Sequence, residues 1–210
     1  MALRLPRVYP ITDISLSGLS HAEQIQELAS GGATFIQLRE KQKSAKEFYA
    51  EARAAVRVAH QLGIKLIIND RVDIAMAVGA DGVHLGQDDM PVVVARELLG
   101  PASIIGFSTH NASQALAALS LPIDYLAIGP VFATNSKADT ADVLGLSGLA
   151  EVRDIVQTLP LVAIGGINDS NASAVVGTGA DSIAVISCLL NDPSQIKAST
   201  QKLLTHLNST

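Results

Sequence analysis

Short apolar, β-branched runs alternate with longer amphipathic stretches from one end of the chain to the other. The runs occupy residues 8–13, 35–41, 66–70, 83–86, 104–110, 125–130, 161–166 and 182–187, lengths typical of strands. Seven of them end abruptly in polar, charged or glycine residues, and the eighth ends more quietly in Ser187. Between the runs, residues 21–30, 44–62, 92–99, 112–119, 149–159, 171–177 and 194–207 carry the apolar spacing of helices. Several of these open at Ser, Asn or Asp, the side chains that cap a helix start. A shorter helix is predicted over 72–78, with Asp73 in the first turn, where the positive end of the helix dipole favours it. Strands joined by single helices must run parallel, and eight such units suffice to close a barrel. The predicted fold is α/β: one (βα)8 TIM barrel of parallel strands, spanning 1–210 as a single domain.

A faint internal echo supports the count of units. Gly31-Gly32-Ala33-Thr34, Gly79-Ala80-Asp81-Gly82 and Gly179-Ala180-Asp181-Ser182 each precede a strand, and Ile123-Asp124 takes the matching place before Tyr125. Glycine ending a helix and aspartate turning the chain explain the echo without any chemistry, since that face of a barrel carries stability rather than catalysis. The stretch 131–147 after the sixth run is long for a connection of ~2–6 residues and is a candidate lid.

Composition narrows the partners. A hydrophobic fraction of 48% exceeds what a half-exposed sheet needs and suggests strands buried on both faces. A net charge of −5 gives no electrostatic footprint for a phosphate backbone, and 3% aromatics with no Trp leave few stacking platforms, so nucleic acid is excluded as a partner. Cys188, the one cysteine, permits no internal disulfide and fits a reducing compartment. Pro6 and Arg7 interrupt any signal-like start, and no run approaches ~20 apolar residues, so the expected setting is cytoplasmic, away from membranes. A homo-oligomer is left open.

The chemistry sits where the runs end. Arg39 and Lys41 can project toward one anion, as a planar fork and a point charge, or form a solvated cluster with Glu40. Asn69-Asp70 closes the third run and Gly86-Gln87-Asp88-Asp89 follows the fourth. Neighbouring strands lie roughly 4.8 Å apart, so carboxylates leaving both can share a cation, and Mg2+ is held by two carboxylates plus phosphates and waters. Helix capping is an equal reading of Asp70 and Asp89, and Asp88 competes with Asp89 as ligand. Ser108 reads as a hydroxyl donor to an anion or as a cap; without a nucleophile elbow or a carboxylate near His110, a Ser-His hydrolase is disfavoured. His84 reads as structural, His21, His60 and His206 as surface residues, and Cys188 as a small hydrophobe. Ala163-Ile164-Gly165-Gly166-Ile167 and Val185-Ile186-Ser187 end the seventh and eighth runs, where barrels commonly bind phosphate through backbone N–H groups. The residues alone point to Mg2+-assisted loss of a phosphate-type leaving group beside a second phosphorylated molecule.

Taken in order, Gln37-Leu38-Arg39-Glu40-Lys41, Asn69-Asp70, His84-Leu85-Gly86-Gln87-Asp88-Asp89, Gly106-Phe107-Ser108, the segment from Gly129-Pro130-Val131 to Thr134-Asn135-Ser136-Lys137, and Ala163-Ile164-Gly165-Gly166-Ile167 resemble the thiamine-phosphate synthase family. The resemblance covers nearly the whole chain, from Tyr9-Pro10-Ile11-Thr12-Asp13 to Ser187. It implies a transferase of thiamine biosynthesis that joins hydroxymethylpyrimidine diphosphate to a thiazole phosphate, or its carboxylated precursor, releasing diphosphate. It implies that Gln37, Leu38, Arg39, Glu40, Lys41, Asn69, Ser108 and Lys137 hold the pyrimidine diphosphate, with Arg39, Lys41, Ser108 and Lys137 catalytic. Asp70 and Asp89 would bind Mg2+; Thr134, Asn135, Ser136, Gly166, Ile186 and Ser187 would hold the thiazole phosphate. The reaction implied is dissociative, and a site rich in cations without a protein nucleophile suits it. Where the family usually reads Thr-x-Thr-Lys, this chain has Thr134-Asn135-Ser136-Lys137, which keeps the hydroxyl and loses a methyl. The alternatives are a thiazole tautomerase on the same barrel, a non-catalytic ligand-binding relative, and a sugar-phosphate isomerase or epimerase.

Overall fold

The computed structural model describes residues 3–134 and 142–209. Eight strands, β1 (Val8–Thr12), β2 (Phe35–Leu38), β3 (Lys65–Asn69), β4 (Gly82–Leu85), β5 (Ile104–Thr109), β6 (Tyr125–Ile128), β7 (Leu161–Ile164) and β8 (Ser182–Val185), pair in sequence order. All pairings are parallel, and β8 returns to β1 with Tyr9 opposite Ala184, closing the barrel as predicted. The strands are almost wholly buried, which is why they read as continuous apolar runs rather than alternating ones.

The helices are α1 (Ile14–Ser17), α2 (His21–Ser30), α3 (Ala45–Gln61), α4 (Val72–Val78), α5 (Val92–Leu99), α6 (Ala112–Ala118), α7 (Gly145–Val156), α8 (Ala172–Gly177), α9 (Ser187–Leu190) and α10 (Ile196–Asn208). Ser20 and Ser44 form capping boxes with Glu23 and Glu47, and Asn111 caps α6, so these starts were legible from side-chain chemistry. Two short helices, α1 and α9, escaped the periodicity because a single turn has none. The predicted helix 149–159 begins earlier, at Gly145: glycines read as loop are tolerated there, with Gly148 pressed against Leu144 where a Cβ would come within 2.6 Å.

The echo ahead of the even strands is a stabilising device. Asp81, Asp124 and Asp181 each accept the backbone N–H of a residue on the preceding strand, from Leu66 (2.9 Å), Ile105 (2.8 Å) and Leu161 (2.8 Å). Each also pairs with a cation, Lys65, Arg96 and Arg153 respectively. Asp181→Ala should therefore lower stability by about 1–3 kcal/mol, because the N–H of fully buried Leu161 loses its partner. Asp169→Ala, which breaks only the exposed Lys202 pair, should cost less than about 1 kcal/mol. Urea unfolding midpoints with unchanged slopes would read both.

Candidate active site

The carboxyl ends of the strands carry the polar side chains, and the fold sorts them. Arg39 leaves β2 with Nη1 3.5 Å from Asp13 Oδ2, while Lys41 pairs with Asp70. Glu40 pairs with neither. Burial works against its carboxylate, but the N–H groups of Gln42 and Lys43 and the nearby His21 hold its pKa below the ordinary value. The solvated Arg-Glu-Lys cluster is thus not what forms. His21 is a correction: it is fully buried, its Nδ1 2.8 Å from Thr12 Oγ1 and its Nε2 3.6 Å from Glu40, and desolvation pushes its pKa down. Thr12 Oγ1 in turn accepts the Arg39 N–H at 3.4 Å, so this buried group braces the end of β2.

Capping does not account for Asp70 or Asp89. The residues at the starts of α4 and α5 are Arg71 and Pro91, and neither helix has a side-chain cap. Asp70 stands at φ +62°, in the left-handed region that non-glycine residues seldom adopt, with its carboxylate paired to Lys41 and beside Asp89. Asp89 Oδ2 accepts the Gly86 N–H at 2.7 Å. Burial raises the Asp89 carboxyl above its ordinary pKa; the Gly86 N–H opposes this, and the adjacent Asp70 carboxylate adds to it. Two carboxylates held together against their own repulsion are a place for a cation. Exposed Asp88 takes no part in that contact. Among the described residues no group of three or more His, Cys, Asp or Glu is arranged for a metal, so any ion here would complete its shell from substrate and water.

Asn69 is 7% exposed, and its Nδ2 has no partner among the described residues. Gln37 and Ser108 belong to a buried chain of hydrogen bonds that sequence reading missed. Gln37 Nε2 donates to the Tyr9 hydroxyl (3.0 Å), which lies 2.9 Å from the Tyr125 hydroxyl. That hydroxyl is 3.0 Å from His84 Nδ1, and His84 Nε2 is 2.8 Å from Ser108 Oγ. The strands involved are not all neighbours, so the chain crosses the barrel interior, where Tyr9, Phe35 and Tyr125 also meet edge to face. Ser108 therefore caps nothing; Asn111 does that for α6. Leu38 is fully buried in the apolar core, which leaves only its backbone for a ligand.

A cavity of about 600 Å3 occupies the other half of the mouth, lined by Ser108, Thr134, Gly166, Ile186, Ser187 and their neighbours. Gly165 and Gly166 have φ of +103° and +63°, and a Cβ on Gly166 would stand 2.6 Å from Ala133 O. Glycine is required there because the segment after β6 is bonded across it, through Val131 N to Ile164 O and Phe132 N to Gly165 O. Ser187 opens α9, in which the Leu189 and Leu190 N–H groups both bond to Ile186 O at 3.1 Å, while the two N–H groups before them come too early in the helix for an intrahelical partner. Cys188 also lines the cavity, its thiol pushed up to about 12 by burial, which keeps it an unreactive hydrophobe. Asn135, Ser136 and Lys137 lie outside the described residues, as does the 135–141 stretch of the candidate lid.

Known proteins resemble this chain over most of its length. A thiamine-phosphate synthase of Chloroflexus aurantiacus is 49% identical over 185 residues, covering 88% of this chain and 85% of its own. One from Clostridium novyi is 47% identical over 191 residues, with 90% and 93% covered. A solved thiamine phosphate pyrophosphorylase from Pyrococcus furiosus superposes with a TM-score of 0.87 at 39% identity, covering 97% of this chain and 96% of its own. The family model described as thiamine monophosphate synthase matches residues 8–189. That match runs from the first strand of the barrel to the short helix after the last, and the chain belongs to the thiamine monophosphate synthase family.

Proposed function

We propose that the protein joins 4-amino-5-hydroxymethyl-2-methylpyrimidine diphosphate to a thiazole phosphate, or its carboxylated precursor, forming thiamine phosphate and releasing diphosphate. The observation that carries this reading is the division of one mouth into two anion-suited halves that meet at Ser108. One half has Arg39, Lys41, the unpartnered Nδ2 of Asn69 and the Asp70–Asp89 pair. The other is the cavity between Thr134, Gly166 and Ser187, with glycine backbone and a helix start and, among the described residues, no Asp, Glu, Lys or Arg lining it. A diphosphate with its metal suits the first half, and a monophosphate held by backbone N–H groups suits the second.

The residues divide the work accordingly. Arg39 offers a planar fork to diphosphate oxygens and Lys41 a point charge, the latter shared with Asp70 until a ligand competes. Asn69 donates to the ligand through an Nδ2 that has no partner among the described residues. Asp70 and Asp89 would hold Mg2+, whose chemistry when bound is neutralisation of charge on the departing diphosphate. The pyrimidine carbon–oxygen bond breaks first, and the thiazole nitrogen then supplies the electron pair for the new carbon–nitrogen bond. No protein nucleophile is needed, in keeping with the inert thiol of Cys188. No helix among the described residues is long and apolar enough to cross a membrane, and the expected setting is the cytoplasm.

The test is product formation. Purified protein with both substrates and Mg2+ should yield thiamine phosphate, read as thiochrome fluorescence after oxidation. Chelation should abolish the signal, and added Mg2+ should restore it. Conversion of the carboxythiazole phosphate to its aromatic tautomer without any thiamine phosphate would replace this reading with the tautomerase.

A further inference from the structure

The buried chain from Gln37 to Ser108 has a direction. Only an N–H can donate from Gln37 Nε2, so the Tyr9 oxygen accepts. Tyr9 is almost completely buried, and among the described residues its hydroxyl has Gln37 and Tyr125 as partners. Its own hydrogen must therefore go to Tyr125. The Tyr125 hydroxyl, having accepted, passes its hydrogen to His84 Nδ1. With the imidazole neutral, the remaining ring hydrogen sits on Nε2 and is donated to Ser108 Oγ. Reversing the order would leave the Tyr9 hydrogen with no acceptor among the described residues, or would force the Gln37 amide to turn over. Burial raises both phenols well above their ordinary pKa, so neither gives up the hydrogen that the order requires.

The two ends are thereby polarised. Gln37 has its N–H committed inward, which leaves its carbonyl oxygen to face a ligand. Ser108 has its oxygen occupied by His84, which leaves its own hydrogen to donate outward. The arrangement is built rather than incidental. Tyr125 on β6 and His84 on β4 meet across the intervening β5 only because residue 106 has no side chain. A Cβ there would lie 2.0 Å from Tyr125 Cζ and 2.5 Å from His84 Nδ1. The imidazole and the phenol ring stack with centroids 5.5 Å apart and planes 24° from parallel.

Building on the synthase reading, we propose that Tyr9, Tyr125 and His84 are positioning residues that set the hydrogen-bonding polarity of the pyrimidine subsite. They hold Gln37 as an acceptor and Ser108 as a donor, so that the site selects a ring bearing an exocyclic amine over its oxo counterpart. An amine can donate to the Gln37 oxygen; an oxo group there sets two acceptors against each other.

The experiment compares kcat/KM for the 4-amino pyrimidine diphosphate and its 4-oxo counterpart, each with thiazole phosphate and Mg2+, read as diphosphate release. The wild-type chain should favour the amine by about 1,000-fold or more. Tyr9→Phe and Tyr125→Phe keep each ring and remove the hydroxyl, which frees the amide to turn. In each the preference should fall at least about 10-fold, mostly through loss of the amine substrate's kcat/KM. Phe35→Leu, which loosens the same aromatic cluster without touching the hydrogen-bond chain, should lower the melting temperature and keep the preference. An unchanged preference in both Phe variants, or an equal fall in Phe35→Leu, would reduce the chain to a stabilising network and overturn the proposal. If one Phe variant fails to fold, the other decides. Failure of the wild-type protein to release diphosphate from the amine substrate would instead sink the synthase reading.

Discussion

Asp70→Asn is expected to slow thiamine phosphate formation at least about 100-fold while the barrel stays folded. The substitution keeps the size and shape of the side chain and removes one of the two facing charges. Asparagine, like aspartate, tolerates the left-handed backbone at φ +62°, so the turn that aims the side chain survives. Lys41 loses its partner, but that lysine side chain is 52% exposed and such pairs are worth less than about 1 kcal/mol. Relief of repulsion with Asp89 offsets part of even this loss, and with Asp70 neutral the Asp89 carboxyl should titrate lower than in the wild type. What disappears is half of the proposed cation site. The checks are turnover against Mg2+ concentration, together with a melting temperature close to that of the parent. A variant that turns over at the parental rate at low Mg2+ would remove Asp70 from the metal site.

Gly106→Ala is expected to destabilise the barrel strongly. Overpacking a dense core costs typically about 1–3 kcal/mol and occasionally more. Here the added Cβ would fall 2.0 Å from Tyr125 Cζ and 2.3 Å from its hydroxyl oxygen, so a loss of about 3 kcal/mol or more is expected. Neither neighbour can retreat cheaply, because Tyr125 is wedged against Tyr9 and Phe35, and His84 is bonded at both ring nitrogens. Catalysis should fall beyond what instability explains, since Ser108 is oriented through His84. Gly177→Ala supplies the comparison. That glycine sits in α8 with open space where a Cβ would go, and its substitution should change stability by less than about 1 kcal/mol, in the stabilising direction. Equal denaturant midpoints for the two variants would refute the packing argument.

Much of this was legible before any coordinates. Burial on both faces turned each strand into an apolar run, and the parallel order followed from one helix per connection. The anion-suited residues were visible because a barrel collects its strand ends at one mouth, whatever the partner strands. Asp81, Asp124 and Asp181 were correctly read as belonging to the stabilising face, although their shared role of accepting a neighbour's N–H was not. His21 was misread because its helix face is polar by composition, yet that face is pressed onto Thr12 and Glu40.

The architecture and the ring of polar strand ends are legible in the sequence alone, because these depend on periodicity and on residues close together in the chain. Three matters waited for the tertiary structure. Asp89 rather than Asp88 stands against Asp70, since the Gly86 N–H turns only one of the two inward. Neither carboxylate is used as a helix cap. Gln37 and Ser108, 71 positions apart in the chain, are joined by one line of hydrogen bonds through Tyr9, Tyr125 and His84. Its two central links, Tyr9 to Tyr125 and Tyr125 to His84, cross the barrel between strands that do not pair, and no local pattern encodes a contact whose partners are set only when the sheet closes on itself.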